Sequence, residues 1–142
     1  MNSSLVAIHI AFVGIWLGCI LTEAIFERAL LGKGRDKEKI LAALHKKVDV
    51  IVEIPAFVVV LVTGALLLKD LPGSTALYIK IGFGLIAIVA NAYCVHIVFR
   101  RAEYAENEGW EGFERLDHLQ HKVGGVVLLG VLVALGMGIS MA

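Results

Sequence analysis

Apolar residues run in four long segments along this chain, at about positions 5–26, 48–68, 77–99 and 123–141. Each segment is close to the roughly 20 residues that an α-helix needs to cross about 30 Å of hydrocarbon. Because backbone polar groups in lipid must be satisfied internally, each segment is predicted to be a helix. The pattern therefore predicts an all-α fold, an integral membrane four-helix bundle that forms a single transmembrane domain over residues 1–142.

Basic residues are concentrated in two of the three connections between these segments. The first and third connections contain most of them, namely Arg28, Lys33, Arg35, Lys37, Lys39, Lys46, Lys47, Arg100, Arg101 and Arg115. Lys and Arg that flank membrane spans are retained on the cytoplasmic side. We therefore expect a multi-pass protein of the inner (cytoplasmic) membrane, with the N-terminus and the C-terminus on the outer side.

The composition agrees with a bilayer environment. Hydrophobic residues make up 58% of the chain and charged residues only 18%, which is not the make-up of a soluble domain. The formal net charge is zero, so the chain has no basic surface for nucleic acid, and the expected partner is the lipid bilayer. Cys19 and Cys94 both fall within apolar segments, and we expect no disulfide between them.

Acidic residues interrupt the second apolar segment. Asp49 and Glu53 are one helical turn apart, and His45 precedes them by another turn. A charged side chain inside a bilayer costs roughly 2.5 to 3.5 kcal/mol, so such residues are rare unless they pair, face a cavity or bind something. Glu53 lies deepest in the segment, just before Pro55, and is the acidic residue that most requires a partner.

Further polar residues lie at the same depth in every predicted helix. The metal-ligand candidates are Glu23, His45, Asp49, Glu53, His96, His118 and His121. Imidazole and carboxylate together suit a non-haem transition metal such as iron, copper or zinc. Four-helix bundles often build di-iron sites from Glu-x-x-His motifs. This chain has no such motif, so only the set of residue types predicts a metal.

The same residues have a structural interpretation. Glu23, Asp49 and Glu53 could pair with Arg100, Lys46 or Lys122, and the histidines could be ordinary interfacial residues. Side chains near helix ends reach the headgroups at reduced cost. On this interpretation the polar cluster orders the bundle through hydrogen bonds and ion pairs, without a cofactor.

Two polar residues lie near the opposite end of the predicted bundle. His9 is about two turns into the first segment, and Lys80 is about one turn into the third. His9, Trp16 and Glu23 recur every seven residues and so share one helix face. A histidine at this depth could be an axial haem ligand, with Lys80 pairing a propionate or extending to the surface.

Three stretches also carry a family resemblance. LVAIHIAFVGIWLG in the first segment, DVIVEIPAFVVVLVTGALLL in the second and ALYIKIGFGLIAIV in the third resemble the bacterial four-helix membrane protoporphyrinogen oxidases of the HemJ type and the related CopD-like membrane domains. The resemblance implies a helical bundle with haem b, in which His9 matches the family histidine and Lys80 the family lysine. The chain departs from the family near its second helix, where His45, Lys46, Lys47 and Asp49 replace arginines and tyrosines.

Three hypotheses for the function follow. The first is a redox-active membrane protein or membrane oxidoreductase, with a metal or haem held by histidines and carboxylates of the bundle. The second is HemJ-like oxidation of protoporphyrinogen with a b-type haem, which only the resemblance implies. The third is a non-enzymatic structural or metal-handling membrane subunit. Glycine-rich helix faces, such as Gly14-x-x-x-Gly18, would also permit a homodimer.

Overall fold

The computed structural model describes residues 2–141, and within them the chain is all-helical, with four long helices. These are α1 (Ser3–Leu30), α2 (Arg35–Asp70), α3 (Thr75–Glu106) and α4 (Trp110–Ser140). Each of them is long and apolar enough to cross a membrane. The short connections between them make successive helices antiparallel neighbours.

Every helix extends past the apolar segment from which it was predicted. α2 starts at Arg35, before its apolar part, and α3 continues to Glu106. These polar extensions stack at one end of the bundle, here called the polar end and formed by residues 27–48 and 100–122. The first half of α2 packs there against α3, while the second half of α2 packs against α1. α3 and α4 pack together most extensively.

Short polar residues begin two of the helices. Asn2 Oδ1 accepts hydrogen bonds from the backbone at the start of α1, and Ser74 Oγ accepts one from Leu77 N–H at the start of α3. The connection into α2 instead uses Gly34, whose φ of 110° is readily adopted only by glycine. Asp36 lies within the first turn of α2, where a negative charge complements the helix dipole.

The burial pattern is the reverse of that in a soluble bundle. Large apolar side chains cover the outer surface, and Val89 and Ile139 are each 69% exposed. The interior contains Glu23, Asp49 and Arg101, all buried. Such a continuous apolar exterior is expected for a protein whose surroundings are lipid tails rather than water.

The core of the apolar part is built around Trp16. Its ring lies 6.0 Å from that of Phe57, and its indole N–H donates to Asn91 Oδ1 at 3.2 Å. Small residues such as Ala56 and Ala87 are completely buried next to it and let the helices approach closely. Trp16 and Asn91 therefore join α1 to α3 directly beside the buried polar residues.

A second core lies at the polar end. Phe113 is fully buried among Ala42, Ala102 and Ala105, and its ring makes an edge-on contact with Trp110 at 5.5 Å. The Arg35 guanidinium lies 4.5 Å from the Trp110 ring. This core fixes the helix extensions against one another, and therefore also fixes the polar side chains that project from them.

Gly130 marks the closest approach of α3 and α4. A Cβ atom at this position would lie 2.9 Å from Ala87 Cβ and 3.0 Å from the Phe83 carbonyl oxygen. We expect Gly130→Ala to lower the free energy of unfolding by about 1–3 kcal/mol, because the helices must separate. Detergent-solubilised protein, unfolded with dodecyl sulfate and followed by circular dichroism, gives this value. Gly136→Ala is the matched control, since a Cβ there meets nothing within 4 Å.

Gly14 and Gly18 are both exposed on α1, and a Cβ at either position would meet no atom within 4 Å. They thus make no close helix contact within the described part of this chain. A homodimer through this glycine face stays a prediction.

Candidate metal centre

Buried polar side chains from all four helices meet where the apolar part of the bundle joins the polar end. Here they are called the polar cluster, which consists of Glu23, Glu27, His45, Asp49, Glu53, Asn91, Arg101, Asp117 and Gln120. Five of them are carboxylates and one is a permanent cation. The cluster therefore carries excess negative charge if all its acids are ionised, in a place where water cannot screen it.

His45 is the centre of this cluster. Its Nδ1 lies 3.0 Å from Glu27 Oε1 and 3.2 Å from Gln120 Nε2. In the tautomer with its proton on Nδ1, His45 donates to Glu27 and has a free lone pair on Nε2, which is directed toward α1 and α2. Nε2 is 3.2 Å from Glu23 Oε2 and 3.6 Å from Asp49 Oδ1. A metal-binding histidine usually donates one ring N–H to a carboxylate and binds the metal through its other nitrogen.

Two of the three spacings between these donor atoms are those expected around one ion, and all three atoms lie within 4.8 Å of one another. Ligands bound at about 2.0–2.2 Å in a tetrahedral site are about 3.3–3.6 Å apart. The contacts of His45 Nε2 with Glu23 and Asp49 agree with that range. Asp49 adds the most unusual feature, because it is 0% exposed and neither of its carboxylate oxygens has a hydrogen-bond partner among residues 2–141. A buried carboxylate without a donor is costly and needs an explanation.

A second group of donors shares Glu23 with the first. Cys19, Glu23 and Glu53 each place a ligand atom within 4.8 Å of the others, and all three are buried. Cys19 Sγ donates to Glu23 Oε1 at 3.4 Å. The sequence interpretation treated Cys19 only as an apolar residue. The sequence spacing could have placed Cys19 beside Glu23, because the two are four residues apart and residues four apart share a helix face.

A distortion of α2 accompanies the acidic pair. Asp49–Glu53 forms one π-helical turn, in which Ile54 N–H donates to the Asp49 carbonyl five residues earlier. Pro55 has no N–H and would leave the Ile51 carbonyl without a donor in a regular α-helix. Widening the helix just before the proline accommodates this defect, and π turns are frequent at functional sites.

A third group of potential ligands, Glu27, Asp117 and His121, is already neutralised by Arg101. Arg101 is 0% exposed and donates to Glu27 Oε1 at 2.6 Å and to Asp117 Oδ1 at 2.8 Å. A guanidinium between two carboxylates occupies the position that a metal would take. This group is therefore an ion-pair network that holds α1, α3 and α4 together.

Arg101 was missed as the buried cation. The sequence interpretation named Arg100, Lys46 and Lys122 as partners for the carboxylates. Arg100 instead pairs with exposed Glu103 at 2.6 Å, and Lys46 lies over the Phe99 ring. The spacing of Arg101 from Asn91 gave no signal, because ten residues place Arg101 about 80° around the helix from that residue.

The remaining histidine candidates lie outside the first two groups of donors. His96 and His118 are exposed and belong to none of the metal-competent groups found among residues 2–141. His121 is also exposed, with Nδ1 2.8 Å from the Asp117 carbonyl oxygen. The structure thus brings together Glu23, His45, Asp49 and Glu53, but it does not bring the other three histidines to them.

A cavity of about 460 Å³ opens beside the cluster, between α1 and α4. Glu23, His45 and Glu53 line its polar side. Gly124 and Gly125 are part of the opposite wall, where the lack of side chains leaves room. The cavity leaves room for small ions or molecules beside the cluster.

At the opposite end of the bundle, His9 and Lys80 have different neighbours. His9 is half-buried, and its Nδ1 lies 2.8 Å from Thr63 Oγ1. Lys80 lies beside Gly138, where a Cβ would be 3.1 Å from Nζ. The expected face of α1 is confirmed for Trp16 and Glu23, which are both buried.

Comparisons with known protein families, with curated proteins and with solved structures give no match to this chain. The resemblance to HemJ-type and CopD-like proteins thus stays a prediction carried by its three short stretches. The chemistry of this chain must be argued from its own residues.

Proposed function

We propose that this chain is a multi-pass membrane protein that binds a transition-metal ion in the polar cluster, with His45, Glu23 and Asp49 as ligands. The observation that carries the proposal is Asp49, which is fully buried beside a histidine nitrogen and a second carboxylate. Within the part of the chain that the structure describes, neither of its carboxylate oxygens receives a hydrogen bond. A bound cation would give both Asp49 oxygens the positively charged partner that they lack.

Charge balance supports the same assignment. Arg101 is matched by Glu27 and Asp117, so it leaves no positive charge for Glu23, Asp49 and Glu53. Among the basic side chains of residues 2–141, only His45 forms an ion pair with this acidic set, and one imidazolium would not balance three carboxylates. A divalent ion neutralises two negative charges at once, and it does so without burying further side-chain charge.

The donor types favour iron, copper or zinc. An imidazole nitrogen with carboxylates suits these metals, whereas calcium and magnesium prefer shells of oxygen alone. Cys19 brings a thiol close to the same carboxylate and extends the preference toward softer ions. Iron or copper would supply one-electron redox chemistry, consistent with a membrane oxidoreductase, and zinc would favour a structural or metal-handling subunit.

The orientation is part of the proposal. Lys33, Lys37, Lys39, Lys47 and Arg115 lie at the polar end. Basic residues flanking spans remain in the cytoplasm. The metal would then lie near the cytoplasmic face of the inner membrane, with both termini outside.

Cobalt spectroscopy tests the ligand set. Metal-free protein in detergent, titrated with Co²⁺, should develop the visible bands of a cobalt ion in a nitrogen and oxygen site. We expect His45→Ala to abolish these bands, while exposed His118→Ala leaves them unchanged. Loss of a thiolate-to-cobalt band in Cys19→Ser, with binding retained, would add Cys19 to the set. Equal spectra for wild type and His45→Ala would exclude this site.

The second candidate is haem b at His9, and a hydrogen bond favours it. The Thr63 hydroxyl donates to the Val59 carbonyl oxygen at 2.7 Å, so it accepts from His9 Nδ1–H. This arrangement leaves the lone pair of His9 Nε2 free to ligate iron. Lys80 in the same half of the bundle is a candidate partner for a propionate.

Thr63→Val tests the haem candidate. The valine keeps the size of Thr63 but removes the acceptor, so the tautomer and orientation of His9 are no longer fixed. If haem binds here, we expect haem affinity to fall about 10–100-fold. A titration of the purified protein with haem, followed by its Soret absorption, measures the affinity. Thr22→Val is the matched control, because the Thr22 hydroxyl is exposed and bonds only its own helix. No Soret change in wild-type protein would remove this candidate.

A further inference from the structure

A second polar groove lies on the outer surface between α3 and α4, apart from the polar cluster. It encloses about 210 Å³ and is lined by Tyr93, His96, Arg100, Tyr104 and Arg115, with Ile97 and Leu116 at its base. None of these residues belongs to the polar cluster. Any ligand of this groove therefore binds independently of the proposed metal.

The charge of the groove is positive. Two arginines and a histidine line it, and its lining contains no carboxylate from the described residues 2–141. Arg100 donates through Nη1 to Glu103, which leaves its other N–H groups available. Arg115 has no ion-pair partner among residues 2–141. Guanidinium groups in pairs favour planar or tetrahedral oxyanions such as carboxylate and phosphate.

Arg100 lies beside a tyrosine ring that packs closely against two glycines. Tyr104 packs directly on the turn between α3 and α4, where a Cβ at Gly109 or Gly112 would lie 2.8 or 2.5 Å from its ring. The Arg100 guanidinium lies 5.7 Å from the same ring. The two glycines thus allow Tyr104 to form a wall of the groove beside Arg100.

The depth of the groove indicates the source of the anion. His96 lies in the last turn of the third apolar segment, and Arg100 lies just beyond it. This is the level at which the phosphates of lipids meet the protein. One and two turns before Tyr93 on the same face of α3, Val89 and Ile86 are exposed apolar side chains. An acyl chain could follow them while its headgroup reaches the arginines.

We propose that this groove binds the phosphate headgroup of an anionic phospholipid from the leaflet at the polar end. Arg100 and Arg115 donate charge-assisted hydrogen bonds to the phosphate oxygens. Tyr93 and His96 border the glycerol region, and the acyl chains lie against Val89 and Ile86. Basic pockets between membrane helices recognise anionic lipids by this chemistry. The proposal also gives His96 a role outside the metal site.

Native mass spectrometry tests the proposal with detergent-solubilised protein and added phosphatidylglycerol or phosphatidylcholine. We expect the wild type to retain phosphatidylglycerol preferentially. The double variant Arg100→Gln, Arg115→Gln should lose about tenfold or more in affinity, since two charge-assisted hydrogen bonds are removed. The control is Lys47→Gln, Lys122→Gln, which removes the same charge from exposed positions outside the groove.

Three results would overturn the proposal. The first is an equal loss of affinity in the control, because the lipid would then be attracted by the total positive charge of the polar end and not by the groove. The second is equal retention of phosphatidylcholine. The third is displacement by inorganic phosphate at the same concentration, since the groove would then recognise a free anion and not a lipid. Circular dichroism and metal content of each variant check the fold and the polar cluster separately.

Discussion

Asp49→Asn is expected to remove the stabilisation that a metal gives this protein while leaving the metal-free protein as stable as the wild type, or more so. The amide keeps the size of the side chain and removes a buried charge that has no hydrogen-bond donor. With metal at 100 times its dissociation constant, the wild type should gain about 2.7 kcal/mol in the free energy of unfolding. The variant should gain almost none.

Unfolding in detergent, with and without added iron, copper or zinc, measures both effects. Asp70→Asn is the matched control, because it makes the same chemical change at an exposed position. It should gain the same metal-dependent stability as the wild type. A variant at Asp49 that responds to metal like the wild type would refute Asp49 as a ligand. A metal-free Asp49→Asn protein that is strongly destabilised would show instead that the carboxylate has a structural partner.

Arg101→Met is expected to be the most destabilising single substitution in the polar cluster. Arg101 is fully buried and ion-paired with both Glu27 and Asp117, so its loss removes the permanent cation that neutralises two buried carboxylates. Breaking a buried pair in this way costs about 3–5 kcal/mol in the free energy of unfolding. Dodecyl sulfate unfolding followed by circular dichroism measures the loss.

Two further variants isolate the cause of that loss. Arg100→Met is the neighbouring control, and because its pair with Glu103 is exposed it should change stability by no more than about 1 kcal/mol. The triple variant Arg101→Met, Glu27→Gln, Asp117→Asn should recover most of the lost stability, since no unpaired charge remains. No recovery in the triple variant would mean that the packing of the Arg101 side chain, and not its charge, holds the helices together.

The hydropathy of the sequence was sufficient to predict the four helices, but not which face of each helix points inward. Lipid tails are as apolar as the core, so Val89 on the surface and Val95 in the core look alike in the sequence. Only polar residues carry this information within a span. The seven-residue spacing of Trp16 and Glu23 was enough to predict their shared face on α1.

The same reasoning explains which candidates were grouped correctly. His45, Asp49 and Glu53 follow one another at four-residue steps, and the structure keeps all three inside. His96 and His118 have the right depth but the wrong face, and depth alone cannot distinguish the two. The π-helical turn was not predicted, although Pro55 directly after the acidic pair was a local cause visible in the sequence.

The metal content of the purified protein tests the central claim most directly. Wild type, Asp49→Asn and Asp70→Asn are expressed with ample iron, copper and zinc, and the metal-to-protein ratio is measured by plasma mass spectrometry. We predict about one tightly bound ion per chain for the wild type and for Asp70→Asn, and almost none for Asp49→Asn. A folded wild-type protein without metal, or the same ratio in all three proteins, would contradict a metal centre in the polar cluster.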